Sequence, residues 1–357
     1  MKAKHALAVV LLAMLVCGTI GLSAQDKAKG QADQRIFIPP QVKSILQEGM
    51  LTREARQDIP FSFSRHLYLP ARDSLHNVVY FKIKNADLGF AAAAPIEPAA
   101  PAAAEPVAEA PAPAPAGPLQ AKFNVFLWFS TIAQDGKLQT VKEIYAPAVI
   151  ETPAAGYDPE KVESYSFGYP LPSGRYMLAM AVTSPDLTRI GTNYIEIETP
   201  NPGSFVDKLD TTPIFFAQDV EQMQAPESRV EIHKGVFTYS ILKMRPKAEN
   251  VFAVGENLDI FFFVFGLRPN DSQRYDLKIG YEVKKGEETA IRYEAQASDS
   301  PLVSQPLPLK QTVIIKSEKG ETSEQRDLAA GAYTLLVTIT DNISGLKIEK
   351  QVAFEVK

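Results

Sequence analysis

The sequence predicts an all-β chain folded as two β-sandwich domains in tandem. Two observations carry that prediction. From Ile59 onward, apolar residues recur with a period of two in short runs separated by turn residues, giving about seven strands in each half, the count of a sandwich domain. The stretch around Gly174 also reappears around Gly331. Repetition at a fixed offset is the mark of a duplicated structural unit.

The N-terminus reads as an export signal. Lys2, Lys4 and His5 make a basic start, and residues 6–16 are an unbroken apolar run. That length suits the hydrophobic region of a signal peptide and is short for a membrane span. Ser23 and Ala24 precede Gln25 at an acceptable cleavage site, so residues 1–24 are expected as a signal peptide and the protein as periplasmic or secreted. Leu22 stands where a small residue is preferred, which leaves an uncleaved anchor as the alternative. Cys17 follows Val16, whereas a lipobox wants a small residue there, so a lipoprotein is the weaker reading.

Cleavage after Ala24 removes the only cysteine and leaves a mature chain without disulfides or thiolate ligands. It also removes Lys2 and Lys4, so Lys plus Arg falls from 37 to 35 against 42 acids and the net charge moves from −5 to −7. A mildly acidic chain without a basic block argues against nucleic acid and anionic lipid as partners. No second apolar run is long enough to span a bilayer.

Residues 25–58 read as an N-terminal extension with one short helix within 41–56. Val42, Ile45, Leu46 and Met50 share a face and Pro39 and Pro40 precede it, while Gly49 weakens it. The first domain is expected over 59–198, with strands near 61–66, 78–84, 123–131, 138–144, 164–167, 176–182 and 192–198. Asp135-Gly136 is a hairpin signal between two of them. Residues 91–118 interrupt this domain with Ala and Pro, and prolines at 95, 98, 101, 106, 111, 113, 115 and 118 forbid regular structure. A disordered, polyproline II-like insertion is expected, either a spacer arm or, preferred, a loop expansion tolerated at small entropic cost.

Residues 199–228 read as an interdomain segment rich in Pro, Asp and Gln. Ile214, Phe215 and Phe216 are too apolar for a free linker and are expected to pack on one domain or between both. The second domain follows over 229–357, with strands near 236–242, 258–265, 275–283, 289–295, 311–315, 332–340 and 346–356.

The duplication is specific. Leu171, Gly174, Tyr176 and Leu178 lie without a gap on Leu328, Gly331, Tyr333 and Leu335, and the same offset pairs Ile195 with Val352 and Ile197 with Phe354. The Gly-x-Tyr before a buried position resembles the tyrosine corner of immunoglobulin-like domains. The resemblance implies that Tyr176 and Tyr333 bond back through their hydroxyls to the preceding turn, with Leu178 and Leu335 in the place of a core cysteine. It covers about thirty residues in each half. Both sandwiches would then be of the disulfide-free, fibronectin type III-like kind, and the chain resembles secreted bacterial proteins built from two such domains. Trp128 lies where such a domain places a core tryptophan, but the second half has none.

No catalytic, metal or cofactor motif stands out. His66, His76 and His233 are the histidines past the signal, and none pairs with another at ligand spacing. No nucleophile elbow, phosphate loop or dinucleotide fingerprint is present. Glu287 and Glu288 beside Lys284 and Lys285 read as a solvated hairpin tip, and residues 341–345 as a turn rather than a calcium loop. The Phe261, Phe262, Phe263, Phe265 run is the more informative feature. Alternate residues of a strand face opposite sides, so Phe261, Phe263 and Phe265, with Phe215 and Phe216, form a candidate interaction surface. The preferred alternative is that the strand is covered by the segment near Phe215 or by the other domain.

The expected function is that of an extracytoplasmic, non-enzymatic interaction or scaffold protein of the cell envelope with a protein partner. A carbohydrate-binding or adhesive module would need exposed aromatics in a row, for which Tyr165, Tyr169 and Tyr194 are candidates. A chaperone-like client binder would need a long unpaired edge strand. No cofactor is expected.

Overall fold

A computed structural model describes residues 38–71, 74–93, 117–133, 137–317 and 320–357. The expected signal peptide, the Asp135-Gly136 turn and most of the Ala/Pro tract lie outside the described residues.

The chain is mostly β. It opens with helix α1 (Pro40–Thr52), and a single turn α2 (Asn85–Leu88) follows the second strand. The first strands are β1 (Phe61–Pro70), β2 (Leu75–Lys84), β3 (Ala91–Ala92), β4 (Leu119–Ile132) and β5 (Leu138–Thr152). Then come β6 (Val162–Leu171), β7 (Gly174–Thr183), β8 (Ile190–Thr199), β9 (Asp210–Thr211), β10 (Phe215–Gln222), β11 (His233–Lys234) and β12 (Phe237–Tyr239). The last group is β13 (Leu242–Pro246), β14 (Val251–Phe252), β15 (Asn257–Phe265), β16 (Leu277–Lys285), β17 (Glu288–Arg292) and β18 (Gln296–Ser298), then β19 (Leu302–Pro308), β20 (Lys310–Ser317), β21 (Gly320–Asp327), β22 (Gly331–Asp341) and β23 (Lys347–Val356).

These strands form four stacked sheets and a separate β20–β21 hairpin. Sheet I holds β3, β4, β5, β7 and β8, and sheet II runs β1-β2-β6-β11. Sheet III holds β9, β10, β12, β13, β15 and β19, and sheet IV holds β14, β16, β17, β18, β22 and β23. Helix α1 lies on the outer face of sheet I, so four apolar layers separate five layers of backbone.

This stacking follows from the sequence. A strand buried on both faces must be apolar at every position, and one buried on a single face alternates. Strand β7 sends Tyr176, Leu178, Met180 and Val182 into the core between sheets I and II, and Met177, Ala179 and Ala181 toward α1. In β2, Val79, Phe81 and Ile83 face sheet I while Val78 and Tyr80 face sheet III. The outer strand β22 alternates instead, burying Tyr333, Leu335, Val337 and Ile339 against sheet III.

The helix expected within 41–56 forms over Pro40–Thr52, with Pro40 at its first turn. Gly49 has a packing reason that outweighs its poor helix propensity. A Cβ there would meet the Tyr194 hydroxyl at 1.8 Å, so only glycine lets α1 lie this close to β8.

Within residues 199–228, β9 and β10 belong to sheet III. Further on, β11 pairs with β6 and extends sheet II, with His233 opposite Ser166. The expected strand at 236–242 splits into β12 and β13 around Ser240, whose φ is 53°.

Candidate functional site

The five phenylalanines proposed as one surface occupy three different places. Phe215, Phe261 and Phe263 are buried with Leu67, Leu69, Val78, Tyr80, Phe237 and Met244 in the layer between sheets II and III. Phe215 stacks on Phe261 at 5.1 Å between centroids, and Phe237 meets Tyr80 edge-on at 6.2 Å. Phe216, one residue on, points the other way into the layer between sheets III and IV, beside Phe252 and Phe354. Phe265 is half-buried and stacks on Phe205 at 4.5 Å. The aromatic run is therefore a seam of the fold, covered by sheet II.

Both tyrosine hydroxyls bond back to the turn that precedes their strand. Tyr176 donates to the Pro172 carbonyl and Tyr333 to the Ala329 carbonyl, each at 2.8 Å. Gly174 and Gly331 share an unusual backbone, φ 154° and 153°, and each Tyr ring packs over its glycine, at 3.5 and 3.6 Å from where a Cβ would stand. The two matched segments thus agree in geometry as well as in sequence.

Among the described residues no Phe, Tyr or Trp is exposed. Tyr165 is fully buried, Tyr169 stacks on Phe129, and Tyr194 lies against α1. A planar sugar platform is thus not found among them. Asp341 is buried, and its carboxylate accepts from the Ile343 and Arg268 backbone N–H groups and from the Ser344 hydroxyl. It pins the β22–β23 turn, as read from the sequence. A cleft of about 580 Å³ between β17 and the β20–β21 hairpin is lined by Arg292, Tyr293, Glu294 and Lys310, and its Tyr293 hydroxyl donates to the Pro308 carbonyl.

Two features remain as candidate sites. The first is β5. Among the described residues it pairs only with β4, from Leu119↔Thr152 to Ile132↔Leu138, so its other edge is open along fifteen residues. Pro147 within it is compatible with an edge position, and Val141 and Val149 are exposed.

The second is a polar cluster beside the seam. Val230 and Ile232 turn into the core between sheets I and II, so Glu231 and His233, two residues apart on extended backbone, share the outward side. Glu227 folds back over them. The donor atoms of Glu227, Glu231 and His233 lie within 4.8 Å of one another. Glu227 Oε1 is 2.9 Å from His233 Nε2, and its Oε2 accepts from the Thr238 hydroxyl at 2.8 Å. Sequence reasoning missed this cluster, because Glu227 and Thr238 reach His233 only through the fold of the connection.

His76 borders it through Thr238, which also holds Glu227, whereas His66 bonds to Asn77 instead. His66 Nε2 is 2.8 Å from Asn77 Oδ1, and His76 Nε2 is 3.2 Å from the Thr238 carbonyl oxygen. Burial depresses the basicity of both rings.

No family model matches this chain, and no curated protein matches it in sequence.

Proposed function

We propose that this chain is an exported, non-enzymatic interaction protein of the cell envelope, built as two immunoglobulin-like sandwiches in tandem, that takes a protein partner by strand addition. The open edge of β5 carries this reading. A free edge offers a row of backbone donors and acceptors that an extended segment of another chain completes. The nine residues from Leu138 to Ala146 contain no proline to interrupt such a ladder. The stack of sheets behind the edge is a rigid mount, which limits the ordering cost of binding. Support for export comes from the basic start and the apolar run at 6–16. Support for the domain type comes from the paired tyrosine corners.

The test is a photo-crosslinking residue at Val141 in the full chain, expressed in its native envelope, with Val254 on the C-terminal half as the control position. The reading predicts a reproducible protein adduct from Val141 that disappears in the Thr140→Pro variant, whose missing N–H breaks the added ladder. Equal adducts from both positions, or none from correctly exported protein, would remove strand addition at β5.

A further inference from the structure

We infer that Glu227, Glu231 and His233 form a binding site for one divalent first-row transition ion, with zinc as the type case. Imidazole nitrogen and carboxylate oxygen are both ordinary zinc ligands, and three protein ligands leave one position of a four-coordinate ion open. Calcium and magnesium are poorer fits, because they take oxygen ligands in larger numbers.

Three observations support the site. The donors already converge, and two are sheltered, since the His233 and Glu227 side chains are 15 % and 23 % exposed. His233 Nε2 is buried and makes no hydrogen bond, although Glu227 Oε1 stands 2.9 Å away. An ordinary His–Glu pair aims the ring N–H at the carboxylate oxygen. Here the close approach makes no such bond, and an ion bound to both satisfies the orphaned nitrogen. Finally, the supports expected around a metal ligand are present. The Thr238 hydroxyl on β12 fixes the far oxygen of Glu227, and β6 fixes the His233 backbone through β11. Glu231 is the most exposed of the three, at 43 %, and pairs with Arg229 at 3.2 Å.

Binding here would tie the connection from β10 to the strand that extends sheet II, so the ion would stabilise the docking of sheet II on sheet III. None of the three ligands lies on β5, so the test does not depend on the partner reading.

The experiment is calorimetric titration of tag-free full-length protein with zinc chloride, with cobalt(II) absorption as the geometric readout. We expect one ion per chain, the visible bands of four-coordinate cobalt, and a raised melting temperature. Glu231→Gln, at the exposed end of the site, and His233→Gln should each abolish saturable binding. Thr238→Val should weaken it by about 10–100-fold, the usual cost of losing an outer partner. Glu294→Gln, on a remote surface, should bind as the parent does. Circular dichroism checks that each variant is folded. No binding by the folded parent, or binding that survives in folded Glu231→Gln or His233→Gln, overturns the assignment and leaves a plain polar cluster.

Discussion

Phe215 and Phe261 face each other on adjacent strands of sheet III, their rings stacked at 5.1 Å against the apolar side of sheet II. The pair belongs to the apolar layer through which sheets II and III pack. Phe261→Ala should cost about 3–5 kcal/mol, the range for emptying a buried aromatic site. Urea denaturation followed by Trp128 fluorescence and by far-ultraviolet circular dichroism measures it. The parent should give coincident transitions, because Trp128 lies beneath α1 at the far end of the same stack. A shift worth less than about 1 kcal/mol would mean that the seam is loosely packed.

Tyr176→Phe and Tyr333→Phe remove one hydroxyl each and leave the ring in place. Each should lower stability by about 1 kcal/mol, the net worth of a hydrogen bond to a carbonyl. The corners stand in separate cores, so the double variant should show the sum. A double variant as stable as the parent would show that the bonds to Pro172 and Ala329 do not hold the turns.

Gly191 is a point of close backbone approach. A Cβ there would stand 1.8 Å from the Ile59 carbonyl oxygen, where the chain leaving α1 crosses β8 and bridges to it through Gln57. The obstacle is backbone, so it does not swing aside. Gly191→Ala should cost about 1–3 kcal/mol, as overpacked sites do. The melting temperature of the purified variant reads the effect, and an unchanged value would place the crossing elsewhere.

The strands were legible where packing imposes a pattern. The continuous apolar runs of β4, β7 and β15 mark strands buried on both faces, and the alternation of β22 marks one buried on a single face. Which partner covers the second face was not legible, because periodicity reports burial and not the identity of the neighbour. Strands β19 and β21 escaped for local reasons. Strand β19 carries Pro306 and Pro308, tolerated on an edge, and β21 (GETSEQRD) is polar throughout. Of the Glu227, Glu231 and His233 cluster, only the two-residue spacing of Glu231 and His233 was visible in advance. The fold-back of Glu227 depends on the Thr238 hydroxyl, eleven residues further on.

His66 supplies a pH dependence with a definite sign. Burial holds its imidazole below the ordinary value of 6.5, and the contact with Asn77 opposes that only in part. The Asn77 amide oxygen also accepts from the Thr199 hydroxyl, and the Tyr68 ring, itself facing Asp210 and Glu198, lies 6.3 Å from the imidazole. The unfolded chain therefore takes up a proton at a higher pH than the folded one. Above about pH 6.5 both forms are neutral and the contribution to stability is fully present. As the pH falls below that value the unfolded state is favoured, and the loss continues down to the depressed value of the folded ring. His76 shifts in the same direction, again chiefly through burial. Urea midpoints measured from about pH 7.5 to 5.5, a window above most carboxylate titrations, should fall with pH in the parent. The fall should be shallower in His66→Gln, which keeps an N–H donor for Asn77 and cannot titrate. Parallel profiles for parent and variant would show that His66 is as easily protonated in the fold as outside it.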